Sequence, residues 1–187
     1  DIDRAQAAGS LAAYTTAAGY AMAEDTDKFL ANLCVDGGTA LTGDTPTTGD
    51  AAFDLVRDAR KVLNKANVPS DGRILVCNAE FEGLLLGADS KLTSASAVGD
   101  NPSAGLRNAT IGNLLGCSVI TSNHLPAVDS PQFAMFSIRA LAFVSQIDQV
   151  EAMRSQNKFA DRLRALHVYG GKVIREEGIV VFGSDGS

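Results

Sequence analysis

The sequence predicts an α+β fold, with helices gathered early in the chain and strands late. Three observations predict it. Residues 3–33 contain no Pro and are crowded with Ala, the best helix former because it gives up no side-chain entropy on ordering. Residues 50–67 repeat apolar side chains every three or four positions, at Phe53, Val56, Ala59, Leu63 and Ala66, the spacing that keeps them on one helix face. Short apolar runs at Arg73–Cys77, Phe133–Ser137, 141–145 and 178–182 have the length and composition of buried strands.

The first helix organises the rest. A stripe of Leu11, Thr15, Ala18, Met22, Phe29 and Leu33 runs along it. At about 1.5 Å per residue it would be about 45 Å long, well beyond the usual helix of about 8–20 residues. Small residues over much of its surface predict close packing on more than one side. Gly9 and Gly19 oppose it, since glycine weakens a helix interior. The alternatives are two helices broken near Gly19, or a coiled-coil arm. Asp36-Gly37-Gly38 ends it, and residues 38–48, rich in Gly, Thr and Asp, read as a loop.

The second helix starts from Asp50 as N-cap, with Asp54 and Asp58 near its positive end. Arg60, Lys61 and Lys65 lie toward its negative end, and it stops before Val68-Pro69. Ser70-Asp71-Gly72 is a turn into the strand Arg73–Cys77. Asn78 then caps a short helix, 80–86, with Phe81, Leu84 and Leu85 inward. Residues 87–105 are poorly patterned, a length of loop that is usually functional or irregular. Pattern returns at 106–116, followed by a strand at 118–122 and a turn at His124-Leu125-Pro126.

Phe133–Ser137 and 141–145 read as strands joined by 138–140. An extended or mixed segment holds Val150, Ala152 and Met153, and Phe159, Leu163, Leu166, Val168 and Tyr169 follow. Gly170-Gly171 reads as a turn, and 172–175 and 178–182 as paired or consecutive strands around Glu176-Glu177, before a polar tail. There is no internal repeat.

Composition narrows the function. The chain has 187 residues, 45% hydrophobic and 20% charged, with no apolar run long enough to span a bilayer. It begins with Asp, with no basic-then-apolar leader behind it, which predicts an N-terminally truncated fragment of a longer protein. A net charge of −6 and a pI near 4.8 exclude a general nucleic-acid binder. The charge is uneven. Four cations lie between residues 57 and 65 and six between 154 and 175; solvated faces are the plainer reading of both. Cys34, Cys77 and Cys117 are odd in number and form no CxxC pair, which argues for a reducing compartment.

Candidate chemistry is sparse. Cys77 or Cys117 with His124 would make a nucleophile and base, but both cysteines lie in or beside apolar strands, where Cys behaves as a small hydrophobe. His124 and His167 show no metal-ligand spacing. Phosphate-loop motifs are absent, and Gly112-Asn113-Leu114-Leu115-Gly116 leads into a strand instead of opening a helix. Glu24-Asp25-Thr26-Asp27 lacks calcium-loop spacing and reads as a solvated face. Asn108-Ala109-Thr110 matches a glycosylation acceptor, without consequence in a reducing compartment. No catalytic, cofactor-binding or metal-ligating residue is assigned, and the chain reads as a structural or assembly protein, not an enzyme.

One ordered set of segments goes further. The run Leu106-Arg107, Ile111-Gly112, Gly116, then Val119-Ile120 and Ser122-Asn123 resembles the major capsid proteins of tailed phages, which share the Hong Kong 97 phage fold. Val68-Pro69 with Arg73–Cys77, Asn78 and Phe81 resembles an earlier part of that pattern. Glu151-Ala152, Arg154, Phe159-Ala160-Asp161, Tyr169-Gly170-Gly171-Lys172-Val173 and Gly178-Ile179-Val180-Val181 resemble its close. The long helix, with Gln6, Asp27 and Leu30, resembles the family's spine helix.

The resemblance implies a peripheral domain of residues 1–35 and 147–183 and an axial domain of 36–146. C-terminal strands from 159–181 would pack back on the spine helix. It implies a subunit that self-assembles through hexamer and pentamer capsomers into an icosahedral phage or prophage shell. That shell would enclose DNA without sequence-specific contact and without a membrane, and be made in the bacterial host cytoplasm. Scaffolding, portal and decoration proteins are possible partners. The family's N-terminal arm and extended loop have no counterpart here, so no crosslinking residue is carried over. Loops 38–48 and 88–105 would meet neighbours at symmetry axes, and the acidity would limit sticking to DNA. The alternatives are a cellular nanocompartment shell of the same fold around a cargo enzyme, and a small cytosolic cysteine-dependent α/β enzyme.

Overall fold

The structure, a computed structural model, describes residues 2–3, 7–87, 89–90, 112–127, 129–154 and 160–183. After a two-residue strand β1 (Ile2–Asp3), helix α1 runs unbroken over Ala7–Asp36, 30 residues. Gly19 does not interrupt it: a Cβ there would meet nothing within 4 Å, so the glycine costs helix propensity alone. The Gly37-Gly38 stop has a steric reason. A Cβ on Gly38 would lie 2.6 Å from the Val181 side chain and 2.8 Å from the Cys34 carbonyl, and one on Gly37 would lie 2.5 Å from Val173. Side chains do not fit where the chain leaves the helix against these strands.

A two-residue strand, β2 (Thr39–Ala40), follows. Helix α2 covers Gly49–Lys65, and its N-cap is Thr48, whose side chain accepts from the Ala51 N–H. Asp50, expected as the cap, sits in the first turn, where its charge suits the dipole. The helix gives way at Asn67, which takes a left-handed φ of 56°. Strand β3 is Arg73–Cys77 and helix α3 is Ala79–Leu85, capped by Asn78. Buried Arg73 pins the α2–β3 connection: Nε donates to the Pro69 carbonyl at 2.9 Å and Nη2 to that of Val68 at 2.6 Å.

Strands β4 (Asn113–Leu114) and β5 (Cys117–Thr121) form a hairpin. Its Leu115-Gly116 turn has φ values of 50° and 78°, the two positive angles of a tight hairpin turn. The sequence 112–116 thus holds the first strand and the turn of a hairpin. Strand β6 (Phe133–Ser137) leads through a 3-10 turn, Ile138–Ala140, into β7 (Leu141–Arg154). Strand β8 is Ala160–Val173 and β9 is Ile179–Phe182.

The chain divides into two compact units, Asp1–Leu30 with Phe143–Gly171, and Ala31–Ala142 with Lys172–Ser187. In the second unit a six-stranded sheet runs β2-β9-β6-β3-β5-β4, with β2∥β9 and β3∥β5 parallel and the other pairs antiparallel. Alternation gives it two apolar faces. Leu75, Cys77, Cys117, Phe133, Met135, Val180 and Phe182 pack against Ala52, Val56, Ala59 and Leu63 of α2 and Phe81 and Leu85 of α3. Phe133 anchors this core, with ring centroids 4.7 Å from Phe81 and 5.6 Å from Phe182. On the opposite face Ala134, Ile179 and Val181 pack with Cys34 and Val35 at the end of α1.

A buried amide pair locks the next segment. Asn78 Oδ1 accepts from the Phe81 and Gln132 N–H groups, and Nδ2 donates to the Ala127 and Ser130 carbonyls. Gln132 Oε1 accepts from Ala127 N–H, and its Nε2 donates to the Gly183 carbonyl.

In the first unit β8 lies between β1 and β7 in a three-stranded sheet. Tyr169 of β8 donates its hydroxyl to Asp25 of α1, and its ring meets Phe29 edge-on at 5.3 Å between centroids. C-terminal strands therefore pack back on the long helix in both units, β8 here and β9 at Cys34.

Several local expectations change. Gly170-Gly171 is not a turn but lies inside β8, where long-range pairing overrides turn preference. Lys172 and Val173 end β8, and β9 pairs with β6 and β2 instead of with them. The strand from residue 141 continues to Arg154, so that the segment read as extended or mixed is extended. Residues 15–21 of α1 are exposed all round, so no second layer of the described residues covers them. The expectations for residues 91–111 and for Phe159 lie outside the described residues.

Candidate assembly surfaces

The thiols are sealed away from reaction. Burial pushes Cys34 and Cys77 from 9.0 up to about 11, and raises Cys117 against the opposing charges of Arg73 and Arg60. A nucleophilic cysteine acts as its thiolate, and these environments disfavour it. Cys77 Sγ faces the Ile120 carbonyl at 3.9 Å, and Cys117 Sγ faces Met135 Sδ at 3.9 Å. His124 belongs to a turn, its N–H donating to Ser122 Oγ. His167 is joined to Ser145 of β7 at 2.8 Å through Nε2. Among the described residues no group of three or more His, Cys, Asp or Glu could hold a metal ion. The acidic stretch on α1 is only partly a solvated face: Glu24 pairs with Lys28 at 2.7 Å, whereas Asp25 is the acceptor that ties Tyr169 to the helix.

What the fold builds instead is surface. The Ser145–His167 and Phe29–Tyr169 contacts show which side of the β7–β8 pair meets α1. By alternation the other side carries Val144, Leu166 and Val168. These are 74%, 51% and 52% exposed. Adjacent exposed apolar side chains on one sheet face mark an interaction surface. Reading 141–145 as a strand located Val144; Leu166 and Val168 were noted without a strand, and the exposure of all three was not legible. The available signal was that β8 is apolar on both parities, with Leu166 and Val168 alternating with His167 and Tyr169, although only one parity finds a helix.

In the second unit a depression of about 300 Å³ lies at one end of the sheet, lined among others by Asn67, Arg139, Ile174, Arg175 and Glu177. Ile138 and Ile174 stand exposed in the same part of the unit. A shallower hollow of about 440 Å³ runs along α2, lined by Arg57, Arg60, Lys61, Asn64 and Lys65.

A long helix backed by strands, buried thiols and open apolar strand faces define a shell-building structural protein. The comparisons give the family: the chain belongs to the phage capsid proteins, whose model matches residues 1–182. A solved structure from Mycobacterium phage Che8 is 58% identical with a TM-score of 0.91, covering 100% of this chain and 68% of that one. The capsid structure of the cyanophage P-SCSP1u is 16% identical at TM-score 0.73, covering 92% and 65%. The mature capsid of bacteriophage PhiM1 is 17% identical at TM-score 0.69, covering 97% and 68%. These last two share the fold. A search of curated protein sequences finds no match. The chain is a tailed-phage major capsid protein, a structural subunit of the oligomeric shell of the virion.

Proposed function

We propose that the chain acts without catalysis, by self-assembly through hexamer and pentamer capsomers into an icosahedral shell around DNA, after synthesis in the bacterial host cytoplasm. In this reading residues 1–35 and 147–183 form the peripheral domain and 36–146 the axial domain. Scaffolding, portal and decoration proteins act on the same shell. The observation that carries the proposal is the open β7–β8 face, where Val144, Leu166 and Val168 present apolar area that the described residues leave uncovered. A neighbouring copy is the occupant a shell subunit supplies.

The test is assembly of the full-length protein carrying Leu166→Lys and Val168→Lys, viewed by electron microscopy. Exposed positions of this kind change stability by about 0.5 kcal/mol or less, so the variant should stay folded, with an unchanged melting curve. Closed shells should form from the wild type and be lost from the variant. Equal yields of shells would remove this face from the interface.

A further inference from the structure

We propose that the outer face of α2 is a sequence-independent contact for the phosphate backbone of packaged double-stranded DNA. This rests on the reading of the chain as a DNA-enclosing shell subunit. The core face of α2 is Ala52, Val56, Ala59 and Leu63. At about 100° per residue, Arg57, Lys61, Asn64 and Lys65 fall on the opposite side and Arg60 on its flank. They line one continuous open hollow. Lys61, Asn64 and Lys65 are exposed and Arg60 is half-buried.

Asp54 and Asp58 share this face with the cations, and its C-terminal half alone is purely positive. The helix acids Asp54 and Asp58 are engaged by Arg57 at 2.8 and 3.5 Å. Beyond Asp58 the helix holds no further acid. Among the described residues no ion pair engages Arg60, Lys61 or Lys65. Beneath this end of the helix lies buried Arg73, whose Nη1 has no hydrogen-bond partner among the described residues. The helix dipole accounts for a cation in the last turn, which here is Lys65 alone. It does not account for Arg57 or Arg60 in the middle of the helix. In a chain of net charge −6, this concentration needs a reason.

The chemistry of the lining selects the partner. Protein interfaces are anchored by aromatic side chains and Arg set in well-packed, desolvated pockets; this lining has no aromatic group, and its cations stand around an open hollow. Phosphate contacts need cations and hydrogen-bond donors and carry no sequence information, and every one of the five lining residues supplies a donor. From Arg57 to Lys65 the face is about 12 Å long, the axial rise of roughly three to four phosphates on one strand.

The experiment uses full-length protein and a fluorescein-labelled 20-base-pair duplex of random sequence, with anisotropy followed against NaCl concentration. The Arg60→Ala, Lys61→Ala, Lys65→Ala triple variant should bind at least about tenfold more weakly at low salt. Its log K against log salt slope should be shallower by about 2.7, at about 0.9 for each phosphate no longer neutralised. Lys61→Arg with Lys65→Arg keeps the charge and should bind as wild type. Two results overturn the proposal: an unchanged slope in the triple variant, or preferential binding of an acidic peptide over the duplex. Electron microscopy of the same preparations separates the two readings. Shells that form while duplex binding ignores α2 leave the shell reading intact and refute this contact; absence of shells from wild-type protein refutes the shell reading itself.

Discussion

The two units treat their sheets in opposite ways. In the second, β6 and β9 bury both parities: Phe133, Met135, Val180 and Phe182 toward α2 and α3, Ala134, Ile179 and Val181 toward the end of α1. In the first, β8 buries only one side, with His167 and Tyr169 toward α1 and Leu166 and Val168 outward. Those two strands of the second unit are covered on both faces. The first unit is finished on one face only, which leaves apolar area for a neighbouring copy in the proposed shell. A shell subunit needs both: a core that folds before assembly and a face that gains by it.

The largest blow to this contrast falls on the finished unit. Phe133→Ala empties the centre of the Phe81, Phe133 and Phe182 cluster and should cost about 3–5 kcal/mol of stability, read by denaturant unfolding. A cost as small as that of an exposed substitution would mean that the two-sided core is not what holds the unit together.

A middle-sized effect tests the polar lock in the same unit. Asn78→Ala strands the Phe81 and Gln132 N–H groups and two carbonyls, which should cost about 1–3 kcal/mol. Amide hydrogen exchange at Phe81 and Gln132 should accelerate, while amides of β8 should keep their rates.

The smallest effect probes the first unit through Tyr169. Its hydrogen bond to Asp25, then burial and the Asp25 charge, raise the phenol above its usual 10.0. An acid raised in the folded state stabilises fully below its unfolded value, and that contribution is lost as pH rises through the folded one. The α1–β8 contact should thus be indifferent to pH between 7 and 9 and loosen above 10. Tyr169→Phe should remove that dependence, and the tyrosinate absorbance difference between wild type and variant should show the late titration directly. A Tyr169 titrating at its ordinary value would show that the hydroxyl does not hold the helix in solution.

Much of the fold was legible because its signals are local. Arg73–Cys77 and Phe133–Ser137 are apolar runs set off by turn residues, and the structure gives both strands those bounds. The α2 stripe at Val56, Ala59 and Leu63 became its buried face. The sheet order was not legible, because placing β9 between β2 and β6 joins segments far apart in sequence that carry no mark of one another. Gly170-Gly171 misled for the same reason: a turn signal is local, and the pairing that overrules it is not. The open apolar face was hidden because Val144, Leu166 and Val168 look like core residues until it is known that none of the described residues covers them.

By itself the sequence determined the helices, the short buried strands and, through ordered segments, the capsid family, since propensity, periodicity and motif order are properties of neighbouring residues. Tertiary structure alone decided that Asp25 would be an anchor instead of a solvated acid, and that the α2 cations would share one hollow. It also decided which side of β8 would be left bare. Each depends on which distant segment arrives against a given face, and burial, charge and hydrogen bonding are settled only when it does.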